Sequence, residues 1–379
     1  MNVVKLIPGD IQIDIPLPWS VYDSTDYLLF KQGHVFESEK KIWEIIERGA
    51  YRDHDSDIGS QVAAYEHQDN FDNTRSPFYL VNHCADRLGE ILEHIEDGNL
   101  EISQYVIRLA HDIMWLCDRD MEAAFAIFHI PATHKKYSLY HPVHVALLSS
   151  VLAMRMNIND QRRTSLVAAA LTANVGMRNF QEVLQRQCLE ITDKQRELIK
   201  KHPLTSVRIL KAAGVGDQLW LNVVSQHHEQ VDGGGYPKGL SGDEVLIEAS
   251  IISISDCYTA MMSKRADRKA VNVKDTLREF FTEKGNAYTE SLAVQLVKEL
   301  GIYPPGTFVR LANNEQSIVV KRFVGRSNTP IVKSVVGADG ELLPTPIVRD
   351  TSNKTYQIME SILLPKGIKI NYEKIWGYS

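Results

Sequence analysis

One segment of the chain concentrates residue types that bind metals and anionic ligands. It reads His227-His228-Glu229-Gln230-Val231-Asp232-Gly233-Gly234-Gly235-Tyr236-Pro237. Neutral imidazoles are good ligands for divalent transition metals. Consecutive glycines let the backbone come close to a bulky anion, because no side chain stands in the way. The segment therefore indicates a metal site beside a phosphate site. The alternative interpretation is a surface turn that follows a helix and carries two histidines by chance.

The same segment resembles the signature HHExxDGxGYP of the HD-GYP family, and every signature position is filled. Members of this family are cyclic di-GMP phosphodiesterases within the HD superfamily of metal-dependent phosphohydrolases. The resemblance covers about residues 137–275 and implies an all-helical core. It also implies a set of metal ligands. These are His141, His202, His227, His228 and Asp256.

The chain departs from the family at the His-Asp pair that gives the superfamily its name. The stretch that is similar to the family's ALLHDIGK reads Ala169-Ala170-Leu171-Thr172-Ala173-Asn174-Val175-Gly176-Met177. Ala173 takes the place of the histidine, Asn174 that of the aspartate, and Met177 that of the lysine. In the family, the aspartate bridges two metals that hold the attacking water between them. Asn174 carries no negative charge, so the sequence predicts that this bridge is missing.

The resemblance therefore implies one metal ion or none. The first metal would keep only His141 and Asp256 as protein ligands. The second would keep three neutral histidines, which with one water make a reasonable site for a single iron, manganese or zinc ion. Members with a third metal carry a glutamate four residues before the first histidine. This chain has Tyr137 there, so we expect no third metal.

The ligand-contacting half of the resemblance is better preserved. Gly235, Tyr236 and Pro237 form the family's GYP turn, in which the tyrosine packs against the ligand. Arg265 and Arg268 resemble the family's RxxR segment after the closing aspartate. Arginine suits phosphate oxygens and guanine edges, since its planar fork offers paired donors. The alternative for both arginines is a solvated helix face.

A second His-Asp pair, His111-Asp112, lies upstream of the motif region. Around it, apolar residues recur at helical spacing. They are Val106, Leu109, Ala110, Ile113, Met114 and Cys117. We therefore interpret this pair as part of an ordinary core helix and not as a metal site.

Composition narrows the class of protein. The chain has 379 residues, of which 44% are hydrophobic and 24% charged, with a net charge of −6. An acidic balance argues against DNA as a partner, because broad nucleic-acid binding favours a basic face. The cysteines lack CxxC spacing, which indicates reduced thiols. No apolar run resembles a leader or a membrane span, so we expect a cytoplasmic protein.

The expected fold class is mainly α, with an all-helical HD-GYP core flanked by a small N-terminal α/β module and a β-rich C-terminal tail. The predicted divisions are residues 1–55 for the N-terminal mixed module, 56–76 for a linker, 77–300 for the helical domain and 301–379 for the β-rich segment.

Local patterns predict particular elements. Thr192 opens a helix that runs to Lys201 through a capping-box pattern. Pro203 is expected to begin the next helix, which leaves His202 at the junction. Alternating isoleucines predict a strand at 11–15. Strands are also predicted at 308–311, 317–323 and 331–336, with a hairpin turn at Asp339-Gly340.

Three functions remain open on the sequence alone. The first is a signalling protein that binds cyclic di-GMP and hydrolyses it weakly or not at all, because Ala173 and Asn174 replace the metal ligands. The second is an active phosphodiesterase with a remodelled single-metal site at His202, His227 and His228. The third is an interaction scaffold that docks diguanylate cyclases of the GGDEF type.

Overall fold

The computed structural model describes most of the chain after residue 74. The described ranges are 75–96, 102–130, 136–187, 190–262, 288–323, 328–363 and 368–378, together with short stretches between residues 3 and 53. The chain divides into two compact units, Met1–Thr74 and Arg75–Ser379. Residues 263–287, which include Arg265 and Arg268, lie outside the described part, as does most of the predicted linker.

The first unit contains a small antiparallel sheet in the order β1-β4-β2-β3. Its strands are β1 (Val3–Lys5), β2 (Val21–Tyr22), β3 (Leu28–Phe30) and β4 (Tyr51–Asp53). Gly33, with φ +89°, lies in the turn that follows β3. A buried cluster packs this unit: Ile11, Leu17, Val21, Phe36, Ile42 and Ala50. Of the predicted strand at 11–15, only Ile11 is described, and it lies in a bend.

The second unit begins as a helical domain, as expected. Its helices are α1 (Pro77–Glu96), α2 (Ile102–Arg119), α3 (Met121–His129), α4 (Tyr137–Arg155), α5 (Asp160–Thr172), α6 (Arg178–Arg186), α7 (Asp193–Ala212), α8 (Gln218–Gln226), α9 (Ile247–Met262) and α10 (Glu290–Leu300). Helix α4 runs through the centre, with most of its side chains buried, and packs against α5 and α9. Helix α7 packs against α8 and against the short 3-10 turn Val175–Met177 that follows α5.

Helix α2 confirms the interpretation of the upstream His-Asp pair. The whole predicted apolar stripe is buried. His111 is exposed on the opposite side, and Asp112 binds Arg87 of α1 at 2.5 Å. The pair thus lies on the outer face of a core helix, because burial of the stripe fixes which side of α2 faces solvent.

The prediction for residue 203 was wrong. Thr192 does begin a helix through a complete capping box with Gln195, but the helix continues to Ala212 with Pro203 inside it. A proline in a helix interior lacks the N–H that would bond the carbonyl four residues earlier. Here the imidazole of His202 donates to that carbonyl, at Ile199, and so offsets the lost bond. His202 therefore lies within α7 and not at a junction.

The C-terminal region forms an antiparallel sheet in the order β8-β7-β6-β5-β9. Its strands are β5 (Phe308–Leu311), β6 (Gln316–Lys321), β7 (Ile331–Val336), β8 (Leu342–Asp350) and β9 (Ile358–Ser361), and a last helix, α11, spans Tyr372–Trp376. The three predicted strands are confirmed as β5, β6 and β7. The amide of Gly340 donates to Gly337 O in the turn between β7 and β8, which confirms the expected hairpin.

Residues 301–379 and the helical domain belong to the same compact unit. The guanidinium of Arg322 binds the Glu122 carboxylate of α3 at 2.8 Å and stacks on Phe125. His129 Nδ1 donates to Phe125 O and Pro305 O, while its Nε2 accepts from the buried hydroxyl of Tyr258 on α9. Among the described residues, no helix is both long enough and apolar enough to cross a membrane.

Candidate metal and ligand site

Three histidines converge where α7 meets the end of α8. The nitrogens of His202, His227 and His228 that could bind a metal lie within 4.8 Å of one another. His202 Nε2 is 3.0 Å from His227 Nε2. The side chains of His202 and His227 are buried, at 2% and 0% exposure. The structure therefore brings together three of the five ligands that the resemblance implied.

The backbone fixes the tautomer of two of these histidines. His202 Nδ1 donates to Ile199 O at 2.6 Å, the carbonyl that Pro203 leaves without a helical partner. His227 Nδ1 donates to Val224 O at 2.6 Å, one of the free carbonyls at the end of α8. A histidine that donates through Nδ1 keeps the lone pair of Nε2 for a metal. Both lone pairs point into the same space.

The other two predicted ligands pair with each other. His141 Nε2 lies 2.7 Å from Asp256 Oδ1 and joins α4 to α9. On its other side, His141 Nδ1 is 3.1 Å from the Tyr137 hydroxyl, and the two rings stack at 4.8 Å. The five residues therefore form two groups, a histidine cluster and a hydrogen-bonded pair that extends to Tyr137.

Burial sets the charge state of the site. It lowers the pKa of His202 to about 3, and the neighbouring His227 adds to this effect. Burial also lowers the pKa values of His227 and His228. For Asp256, burial alone would raise the pKa, but the hydrogen bond with His141 outweighs it and lowers the pKa well below its usual value. The site thus offers neutral imidazoles beside an ionised carboxylate, as a divalent cation requires.

These shifts predict that the metal-free protein loses stability in mild acid. Burial lowers the pKa of both His144 and His202 to about 3, whereas in the unfolded chain each titrates near 6.5. Between pH 6.5 and 3 these histidines are protonated in the unfolded chain and neutral in the folded chain, so the free energy of unfolding falls as the pH falls. From pH 6.5 to 5.5 we expect a loss of about 1 kcal/mol for each histidine.

Urea unfolding followed by circular dichroism at pH 7.5, 6.5 and 5.5 measures this loss. The substitution His144→Asn should remove that residue's share of the pH dependence while leaving the share of His202. A free energy of unfolding that stays constant between pH 6.5 and 5.5 would contradict the prediction.

The segment that replaces the His-Asp pair lies against the histidine cluster. Ser206 Oγ donates a hydrogen bond to the carbonyl of Ala173 at 2.7 Å and accepts one from the amide of Gly176 at 3.0 Å. A Cβ on Gly176 would lie 2.9 Å from His202 O, so only glycine allows this approach. Ala173 is buried and Asn174 partly buried. Residues 173–176 therefore lie beside the helix that carries His202.

The glycine-rich loop folds back on the end of α8. The amide of Tyr236 donates to His228 O at 3.0 Å, and the Tyr236 ring stacks on His228 at 4.7 Å. A Cβ on Gly235 would lie 2.4 Å from the amide nitrogen of Gln230, which excludes any other residue there. The loop thus places the Tyr236 ring directly on the histidine cluster, with Pro237 next to it.

Glu229 holds this loop. Its carboxylate is buried, at 1% exposure, and accepts the amides of Lys238 at 2.6 Å and Leu240 at 2.9 Å. Glu229 is part of the signature, but no role was predicted for it from the sequence. The signal was available, since an acid that precedes a glycine-rich loop is suited to accept the free amides of that loop.

The substitution Glu229→Gln should loosen the loop. An amide side chain offers one acceptor oxygen where the carboxylate offers two, so one buried N–H loses its partner at a cost of about 1–3 kcal/mol. Thermal unfolding measures the change. Glu244→Gln is the matched control, because Glu244 is exposed and makes a similar bond to the amide of Ser241 in the same region. Equal effects of the two substitutions would contradict this role for Glu229.

Comparisons with known proteins agree with the geometry. A family model described as HD domain matches residues 128–292. The cyclic di-GMP phosphodiesterase PdeB of Borreliella burgdorferi is 24% identical over 209 residues, which cover 55% of this chain and 55% of that protein. The cyclic di-GMP phosphodiesterase PA4108 of Pseudomonas aeruginosa is 27% identical over 217 residues, 57% of this chain and 52% of that protein. A 3'3'-cGAMP-specific phosphodiesterase of Vibrio cholerae is 26% identical over 207 residues, 54% of this chain and 45% of that protein.

The chain spans about half the length of these curated relatives. Among solved structures, Bd1817, an HDG"Y"P protein from Bdellovibrio bacteriovorus, superimposes with a TM-score of 0.50 at 18% identity. The match covers 78% of this chain and 98% of that one, and it supports the fold. Residues 128–292 therefore match the HD-domain family, with Ala173 and Asn174 at the positions where the resemblance places the His-Asp pair.

Proposed function

We propose that the HD domain binds cyclic di-GMP or a related cyclic dinucleotide and hydrolyses it weakly or not at all. The relatives named above are phosphodiesterases of cyclic di-GMP or 3'3'-cGAMP, and this supports a cyclic dinucleotide as the ligand. One observation carries the proposal. The loop that holds Tyr236 against the histidine cluster is intact, while Ala173 and Asn174 supply no carboxylate that could bridge two metals.

The described residues fit one metal ion and not two. His202, His227 and His228 offer three neutral nitrogens in close proximity, a donor set that iron, manganese and zinc accept. The first metal of the family does not fit, because the chain carries no histidine at 173 and no carboxylate at 174. A single bound ion would polarise a phosphoryl oxygen, but it lacks the second ion that clamps both the attacking and the leaving oxygen.

The protein's own residues account for binding without hydrolysis. The Tyr236 ring lies at the histidine cluster, where it can stack on a guanine base of the ligand. Arg265 and Arg268 remain predicted phosphate contacts, since their segment lies outside the described residues. The buried histidines stay neutral at pH 7, so they offer an anionic ligand no protonated imidazole. The proposed affinity therefore depends on the loop and on the arginines.

Two measurements on the full chain test the proposal. Calorimetry with cyclic di-GMP and 3'3'-cGAMP should show binding of at least one dinucleotide. Chromatography of the nucleotide after incubation with manganese or iron should show little or no linear product. The substitution Tyr236→Ala should weaken binding about tenfold or more, as the loss of a base-stacking ring does. Tyr79→Ala is the control, because Tyr79 is an exposed tyrosine on α1.

A rate of linearisation that is ordinary for an enzyme would overturn this proposal. It would favour the second candidate, a phosphodiesterase with a single metal at His202, His227 and His228. The observation that supports this candidate is the short distance between His202 Nε2 and His227 Nε2. No heat with either dinucleotide would also overturn it and favour a scaffold that docks GGDEF-type proteins.

A further inference from the structure

The chain contains two His-Pro pairs inside helices, and their histidines behave differently. In α7, Pro203 frees Ile199 O, and His202 Nδ1 donates to it. In α4, Pro142 frees the carbonyl four residues earlier in the same way. His141 nevertheless directs Nδ1 to the Tyr137 hydroxyl at 3.1 Å. His141 thus contacts two side chains, Tyr137 and Asp256, that have no counterpart at His202.

The partners of His141 indicate where its proton lies. Asp256 is ionised, so its Oδ1 can only accept, and His141 Nε2 must carry the hydrogen of the 2.7 Å bond. On the opposite side, Nδ1 then carries no hydrogen and accepts the proton of the Tyr137 hydroxyl, 3.1 Å away. Thr259 Oγ1 is 3.5 Å from Nδ1 but donates to Ser255 O at 2.8 Å, so its bond to His141 is weak.

We propose that Tyr137, His141 and Asp256 form a hydrogen-bonded triad that stands where the family's first metal would be held. Tyr137 is its positioning residue. With the hydrogen on Nε2, His141 has no lone pair to offer a metal on the side of Asp256. The triad ties α4 to α9 directly and uses the Asp256 oxygen that a first metal would need.

The inference rests on the proposed metal site but not on cyclic di-GMP, and its tests use neither the nucleotide nor activity. The first test is the tautomer of each histidine in the zinc-loaded full chain, read from nitrogen–proton correlations of 15N-labelled histidine. His141 should be protonated at Nε2, whereas His202 and His227 should be protonated at Nδ1. The spectrum of His141→Gln assigns the His141 signals.

The substitution Tyr137→Phe supplies the sharper comparison. It removes the hydroxyl and keeps the ring that stacks on His141. Because the Asp256 carboxylate can only accept, His141 should keep its hydrogen on Nε2, while the nitrogen signal of Nδ1 should move to that of a lone pair that accepts no hydrogen bond. A His141 that is protonated at Nδ1 in the wild-type chain, or one whose Nδ1 signal is unchanged by Tyr137→Phe, would overturn the proposal. A chain that binds no zinc refutes the metal site alone, since the tautomer of His141 remains measurable without metal.

Metal titration gives an independent readout. In the double variant Ala173→His/Asn174→Asp, the added ion must displace the hydrogen on His141 Nε2. Adding Tyr137→Phe to this variant should tighten binding of the second ion about tenfold, because one hydrogen bond no longer opposes it. An unchanged or weaker second affinity would count against the triad.

Discussion

Replacing Ala173 with histidine and Asn174 with aspartate is expected to raise the metal content from one ion per chain to two at saturating metal. The same change should raise the rate of cyclic di-GMP hydrolysis by at least about a hundredfold. The aspartate supplies the negative charge that two neighbouring dications share, and the histidine completes the first site. Elemental analysis after gel filtration counts the ions, and chromatography of the linear product gives the rate.

The structure allows this substitution because the segment is held by its backbone. The carbonyl of Ala173 and the amide of Gly176 both bond to Ser206 Oγ, and these bonds do not depend on the side chains at 173 and 174. Ala173 itself is 2% exposed, so a histidine there must displace neighbours or point toward the histidine cluster. Thermal unfolding shows whether the double variant still folds.

The single substitution Asn174→Asp is the matched control for the double variant. It is nearly isosteric and restores the charge without the histidine, so we expect it to fold and to remain at one ion per chain. Two ions in the wild-type chain would contradict the argument at its base. So would a double variant that binds two ions and still hydrolyses cyclic di-GMP at the wild-type rate, since the missing bridge would then not be what limits the reaction.

Features specified by neighbouring residues could be predicted from the sequence. The capping box at Thr192 depends on residues three apart, and the strands β5, β6 and β7 on short apolar runs bounded by turn residues. The histidine cluster was expected through the resemblance, because the motif has a definite spacing. Each of these signals lies within a few residues or within one motif.

Features that depend on a distant partner could not be predicted in this way. Pro203 indicated a helix boundary, but the side chain of His202 compensates for the lost bond, and sequence patterns carry no sign of that compensation. Tyr137 was interpreted only as a missing glutamate. Its bond to His141 requires the pairing of His141 with Asp256, 115 residues along the chain. Such contacts arise from packing of helices and not from local propensity.

The substitution His227→Ala is expected to reduce bound metal from one ion per chain to almost none. His227 is fully buried, and its Nε2 lies 3.0 Å from that of His202. Losing one of three nitrogens should weaken metal affinity more than about a hundredfold, since even loss of a group that only orients a ligand costs 10–100-fold. Elemental analysis and titration with zinc measure the change. His111→Ala is the control, because His111 is exposed on α2.

His228→Ala guards against a variant that fails to fold, because His228 is less buried than His227 and its truncation should remove less packing. Both variants should lose the metal. His227→Ala should keep most of the affinity for cyclic di-GMP, since the glycine-rich loop and not the ion is proposed to hold the nucleotide, whereas His228→Ala also removes the ring on which Tyr236 stacks. Affinity that disappears together with the metal would place the ion in direct contact with the ligand. If the wild-type chain hydrolyses cyclic di-GMP slowly and both variants lose this activity with the metal, the three histidines form a working single-metal centre. Among the described residues, no other group of three or more side chains could hold the metal.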